Sequence, residues 1–184
     1  MMFERERAQA ALGDLARSRM PDPSAIGPIR MKAGRYRTPE EAEAAAEPWQ
    51  VYRPGQGWGG LDCHAWFSAD LRMPASFPGG TVLLRVESGQ GGWDAINPQF
   101  LLFLDGETAQ GLDVNHTEHI LQDLPAGERT IRIDLQAYSG RTTARCDLAM
   151  SWGLFAAEAD RLALDLSVAV ELLAGFGVEA ELVV

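Results

Sequence analysis

Between His64 and Leu71 the chain alternates, with Ala65, Phe67, Ala69 and Leu71 on one face of an extended strand and His64, Trp66 and Ser68 on the other. The same habit returns at Thr81–Glu87, where Val82, Leu84 and Val86 share a side, and at Thr130–Leu135, where Ile131, Ile133 and Leu135 do. A period of two bounded by turns is the signature of antiparallel strands with one buried face. The turns are explicit: Pro74-Ala-Ser-Phe-Pro78-Gly-Gly80, Asp105-Gly106 and Pro125-Ala-Gly127. Pro98–Leu104 is apolar on both faces, so it belongs inside a sheet and not at its rim. These segments predict a mainly β fold, an antiparallel β-sandwich of jelly-roll, galactose-binding-like type, over residues 49–157. Asp147–Phe155 closes the set.

Helices are expected on either side. Phe3–Arg19 reads as a charged helix with a thin apolar face (Ala8, Ala11, Leu12, Leu15), and Pro21, Pro23 and Pro28 turn the rest of residues 1–48 into a linker. Within it, Ile29–Tyr36 reads as a short extended segment. Thr38-Pro39-Glu40-Glu41 is a helix start: Thr as N-cap, Pro at the first helical position and Glu three residues on. Residues 158–184 form a connecting segment whose helix, Glu158–Phe176, carries Leu162, Leu166, Val170 and Leu173 on one stripe, widened by Leu164, Val168 and Leu172. So much apolar surface predicts a partner outside the chain.

The formal net charge of -10 and pI near 4.7 argue against nucleic acid and anionic membrane as partners. Neutral ligands such as sugars stay open. Two cysteines, Cys63 and Cys146, make no disulfide framework and read as buried free thiols. The charged N-terminus lacks the apolar core of a signal peptide, and no apolar run is long enough to span a bilayer, so a cytoplasmic location is expected.

Chemistry-bearing patterns are sparse. There is no Gly-x-Ser-x-Gly elbow, three histidines show no triad spacing, and Gly89, Gly91 and Gly92 lack the lysine and helix of a phosphate cradle. No catalytic residue, metal ligand or cofactor is therefore assigned. The polar cluster Asp113, Asn115, His116, Glu118 and His119 is the densest group. On a flat strand it splits between two faces and cannot close on one ion. As a turn, Asp113 or Asn115 would cap backbone N–H groups. Trp58, in the Pro/Gly-rich Pro54–Gly57 region, and Trp93, beside Gly91-Gly92, are candidate sugar-stacking platforms; each can equally be a packing group. The ligand or interface candidates are thus Asp113, Asn115, His116, Trp58 and Trp93.

Three segments in order carry a resemblance: Gly57-Trp58-Gly59 followed by His64-Ala-Trp66-Phe67; Phe100-Leu-Leu-Phe-Leu-Asp105-Gly106 continuing to Gln110-Gly-Leu-Asp-Val-Asn-His116; and Arg161–Leu173. Together they resemble the N-terminal β-sandwich of family 38 α-mannosidases of the cytosolic/vacuolar class. The resemblance implies a non-catalytic domain that packs on the catalytic domain of the same polypeptide, where a carboxylate nucleophile and zinc would hydrolyse α-mannosides with retention. It implies a homo-oligomeric parent enzyme and zinc outside this chain. The alternative reading is an independent carbohydrate-binding module that takes mannose-containing glycans; a plain interaction domain is the third.

Overall fold

The computed structural model describes residues 2–90, 97–140, 143 and 145–175. In chain order the elements are α1 (Met2–Ser18), β1 (Ser24–Ala25), β2 (Ile29–Ala33), α2 (Pro39–Ala44), β3 (Gln50–Tyr52), β4 (Cys63–Met73), β5 (Gly80–Glu87), β6 (Gln99–Leu104), β7 (Glu107–Leu112), β8 (Glu118–Leu124), β9 (Arg129–Ser139), β10 (Ala149–Leu154) and α3 (Ala157–Gly175). The strands make two antiparallel sheets, ordered β1-β10-β5-β8 and β3-β2-β4-β9-β6-β7. This is the mainly β sandwich with flanking helices that the alternation predicts.

The backbone of the larger sheet is the eleven-residue pairing of β4 with β9, from Cys63 opposite Ser139 to Met73 opposite Arg129. Its inward residues are those the period of two selects: Ala65, Phe67, Ala69 and Leu71 from β4, and Ile131, Ile133 and Leu135 from β9, all buried. Val82, Leu84 and Val86 of β5 meet them from the smaller sheet. Each fully buried Leu or Ile stabilises the fold by about 1.5–3 kcal/mol relative to exposure.

β6 lies between β9 and β7 and is apolar on both faces for a concrete reason. Phe100 and Leu102 enter the core, while Phe103 joins Trp66 and Ala42 in a second cluster on the outer face. That outer face is roofed by α2. Thr38 accepts the Glu41 N–H at 3.2 Å and Pro39 opens the helix, as the sequence predicts. No basic residue occupies the last turn of α2. Lys32 supplies the charge from the sheet instead: its Nζ donates to the carbonyls of Ala42 at 2.5 Å and Ala45 at 3.1 Å. Its ammonium also lies 5.1 Å from the Trp49 ring centroid.

The sandwich therefore reaches further back than the 49–157 span. β2 pairs with both β3 and β4, and β1 pairs with β10, so residues read as linker are strands of the body. β2 lies within Ile29–Tyr36, the segment read as extended, but it is only five residues long and buries a lysine, so its pattern does not announce that it belongs to the sheet.

Ser24–Trp152 form one compact unit, and a second unit holds α1 and α3. In that unit the thin apolar face of α1 (Ala8, Ala11, Leu12, Leu15) is half-buried, as are Leu166 and Val170 of α3. Arg19 Nε meets Asp160 Oδ1 at 2.5 Å. Leu162, Leu164, Val168 and Leu172 stay exposed. Among the described residues, no helix is long and apolar enough to cross a membrane.

Candidate functional site

The Gln110–His119 segment is the end of one hairpin strand, a turn and the start of the next strand. β7 stops at Leu112 and β8 begins at Glu118. Asp113 bends the chain between them. Its Oδ1 accepts the N–H of Asn115 at 2.8 Å and of His116 at 2.7 Å, and lies 3.1 Å from His116 Nδ1. The Asp113 N–H donates to the His116 carbonyl at 3.1 Å. This is an Asx-type turn, in which a carboxylate replaces a backbone acceptor. Burial pushes the Asp113 carboxyl up, and the Asn115 and His116 N–H donors outweigh it and hold it below its ordinary 3.8. The stability this adds is complete above that value and is lost as pH falls through the lowered folded value.

The five polar residues do not converge. His116 is exposed, with 73% of its side chain accessible, and Asn115 is exposed beside it. Glu118 instead pairs with Arg85 of β5 at 2.8 Å. His119 turns toward β7, its Nδ1 lying 2.8 Å from Gln110 Oε1. Gln110 Nε2 donates to the Glu118 carbonyl, so Oε1 faces the ring and His119 Nδ1 carries the proton. These bonds tie the larger sheet's β7 to the smaller sheet's β8. Among the described residues, no group of three or more His, Cys, Asp or Glu side chains could hold a metal.

Burial holds the His119 pKa below its ordinary 6.5. The unfolded chain then binds the proton more readily than the folded one, so stability declines as pH falls below 6.5 and levels off below the depressed folded value. Urea midpoints measured across that window should fall for the native chain. His119→Gln, which keeps a hydrogen-bonding tip without the charge, should flatten the decline. An unchanged slope would show that the imidazole does not control it.

The tryptophan candidates divide. Trp58 is 1% exposed and wedges between Phe67 and Phe100, with ring centroids at 5.2 and 5.7 Å. Its indole N–H donates to the Asp147 carbonyl at 3.0 Å. The stacking-platform reading is therefore corrected: Trp58 seals the end of the core, because Gly57 and Gly59 (φ +74° and +83°) fold the loop over it and turn the indole inward. Trp66 is likewise buried, its N–H donating to the Tyr36 carbonyl at 3.3 Å. Trp93 lies outside the described residues.

Asp147 is a functional-looking group with no sequence motif. Its carboxylate accepts the Tyr52 hydroxyl at 2.6 Å, the Gly55 N–H at 2.8 Å and the Leu148 N–H at 2.8 Å. Burial pushes its pKa up, and the Tyr52 hydroxyl and these N–H donors more than reverse that. It staples the Pro54–Gly57 loop to the sandwich. Between Asp147 and Thr117, the residue that follows His116, runs an open polar cleft of about 460 Å³ lined also by Arg85, Glu87, Ser88 and Gln90. The Ser88 Oγ accepts the Gln90 N–H at 3.3 Å, the Ser88 carbonyl accepts the Asp147 N–H at 2.8 Å, and Gln90 Nε2 donates to the Arg145 carbonyl at 3.2 Å. The polar groups lining the cleft are thus largely bonded to one another: Ser88 to Gln90, Gln90 to Arg145, Arg85 to Glu118 and Asp147 to Tyr52.

No protein-family model and no curated protein matches the chain. Among solved structures it is similar to the β-glucosidase from Kluyveromyces marxianus, with TM-score 0.36 and 10% identity over 76% of this chain. It is also similar to the GH31 α-xylosidase from Xanthomonas citri, with TM-score 0.27 and 8% identity over 70% of this chain. The match spans 16% of each of those proteins. Overlaps of this quality transfer no residue role.

Proposed function

We propose that this chain is the non-catalytic N-terminal β-sandwich of a family 38 α-mannosidase of the cytosolic/vacuolar class, packing on and shaping a catalytic domain in the same polypeptide. One observation carries the reading. The stretch whose resemblance to the family is most specific, Phe100–Gly106 continuing to Gln110–His116, ends in a turn whose backbone is pinned by the Asp113 carboxylate, with Asn115 and His116 exposed. A pinned turn meets a neighbour without the ordering cost that a loose loop pays. Zinc and the nucleophile belong to the catalytic domain, and the parent enzyme is a cytoplasmic homo-oligomer in this reading.

The test has two arms. Coding sequence downstream of Val184 should specify a zinc-dependent hydrolase domain, and the longer polypeptide should release the aryl group from an aryl α-mannoside. The 184-residue chain alone should give no turnover. Turnover by the isolated chain that survives repurification would overturn the assignment. So would calorimetric binding of mannosides by the isolated chain at millimolar concentration with no hydrolase downstream, which would leave a free-standing carbohydrate-binding module.

A further inference from the structure

The solvent-facing side of α3 carries a seam that complements its own reverse. At spacings of four, three, four, three and four, its positions are Ala157, Arg161, Leu164, Val168, Glu171 and Gly175. That rhythm keeps one side of a helix in line. Leu164 is 62% exposed and Val168 47%, and Ala157, Arg161 and Glu171 are exposed with them. The other side of the helix is taken: Ala159, Ala163, Leu166 and Val170 are half-buried, and Asp160 meets Arg19. Two copies of α3 laid antiparallel about a two-fold axis at Leu166 place Arg161 opposite Glu171, Leu164 opposite Val168 and Ala157 opposite Gly175. Guanidinium meets carboxylate, branched apolar meets branched apolar and small meets small, and the symmetry makes each pairing twice. A parallel pair would set Arg161 against Arg161 and Glu171 against Glu171, which repel.

We propose that the exposed side of α3 docks a second copy of this chain, antiparallel, in a closed two-fold dimer. Leu164 and Val168 form its apolar centre, and the two Arg161–Glu171 pairs fix its direction and register. The nineteen residues of α3 span about 28 Å, so the contact lies at or below the roughly 1,200 Å² of weak, transient complexes. The dimer is therefore reversible, with a dissociation constant of about 10–100 µM. One group opposes it. Asp165 is exposed next to the two-fold axis and faces its own copy across the rim. The inference does not rest on the mannosidase reading, because it concerns the 184-residue chain by itself.

The experiment is sedimentation of the 184-residue chain from about 1 to 500 µM in about 0.15 M salt, where the net charge of each copy is screened beyond about 8 Å. The mass should rise from the 20.0 kDa of one chain to twice that and stop there. Leu164→Asp should abolish the dimer. Arg161→Glu and Glu171→Arg should each weaken it about tenfold, because two facing pairs turn repulsive at once. The double variant R161E/E171R should regain the native affinity, since every pair is restored with its signs exchanged. Asp165→Asn should tighten the dimer about twofold. These side chains are exposed, so the variants keep the native urea midpoint to within experimental error. A chain that stays monomeric throughout would overturn the proposal and leave the seam to a neighbouring domain. Assemblies larger than a dimer, a dimer indifferent to the single reversals, or a double variant no tighter than either single one would each overturn it as well.

Discussion

Lys32→Ala should lower the unfolding free energy by about 3 kcal/mol, read from urea denaturation. The reasoning starts from α2. A six-residue helix cannot persist alone, so it exists here through what holds its two ends and its buried face. Thr38 serves the first end. At the other end, the Ala42 and Ala45 carbonyls would face a buried region without donors if the Lys32 ammonium were removed. Lys32 is 2% exposed, so water does not readily replace it. Lys32→Met separates the two contributions, because the stem stays and only the charge goes. It should still cost about 2 kcal/mol, since the buried Ala42 carbonyl and the partly buried Ala45 carbonyl lose their donor. A Met variant within about 0.5 kcal/mol of the native chain would show that packing alone, and no charged cap, holds the helix down.

Trp58→Ala should cost about 4 kcal/mol, the range for removing a large aromatic side chain from a core. Three things vanish together: the edge-on contact with Phe67, the tilted contact with Phe100 and the hydrogen bond to the Asp147 carbonyl. Trp58→Phe keeps most of the volume and should cost about 1–2 kcal/mol, because the carbonyl is left without its donor. Chemical denaturation of both variants checks the values. A solvent-facing sugar platform would behave differently, with alanine tolerated to within about 0.5 kcal/mol.

How far the sequence spoke depends on the range of the interaction. Alternation is a local property, and it named the inward residues of β4, β5 and β9 correctly. The two-sided apolar character of β6 foretold an inner position, and Thr38 with Glu41 foretold the start of α2. The Asp113 turn was one of two readings of its segment, and no strand pattern could choose between them until the backbone was seen to bend. Other features depend on partners far away along the chain. Lys32 looks like a surface residue until α2 folds over β2, and Asp147 gains its role only when Tyr52 and Gly55 arrive from 95 and 92 positions away. Trp58 sat in a glycine-rich loop of the kind that often displays a side chain, and the glycines' positive φ angles turn it inward instead.

β2 and α2 precede the rest of the larger sheet in the chain, yet β2 is hydrogen-bonded to β4 and α2 packs over Trp66 and Phe103 on its outer face. Any attempt to cut out a minimal body beginning at Trp49 would strip β4 of its neighbour, leaving a row of backbone donors and acceptors open to other chains. The same cut would uncover Trp66 and Phe103 as a greasy patch. The smallest excisable piece of this protein therefore begins no later than Ser24, even though the sequence changes character some twenty-five residues further on.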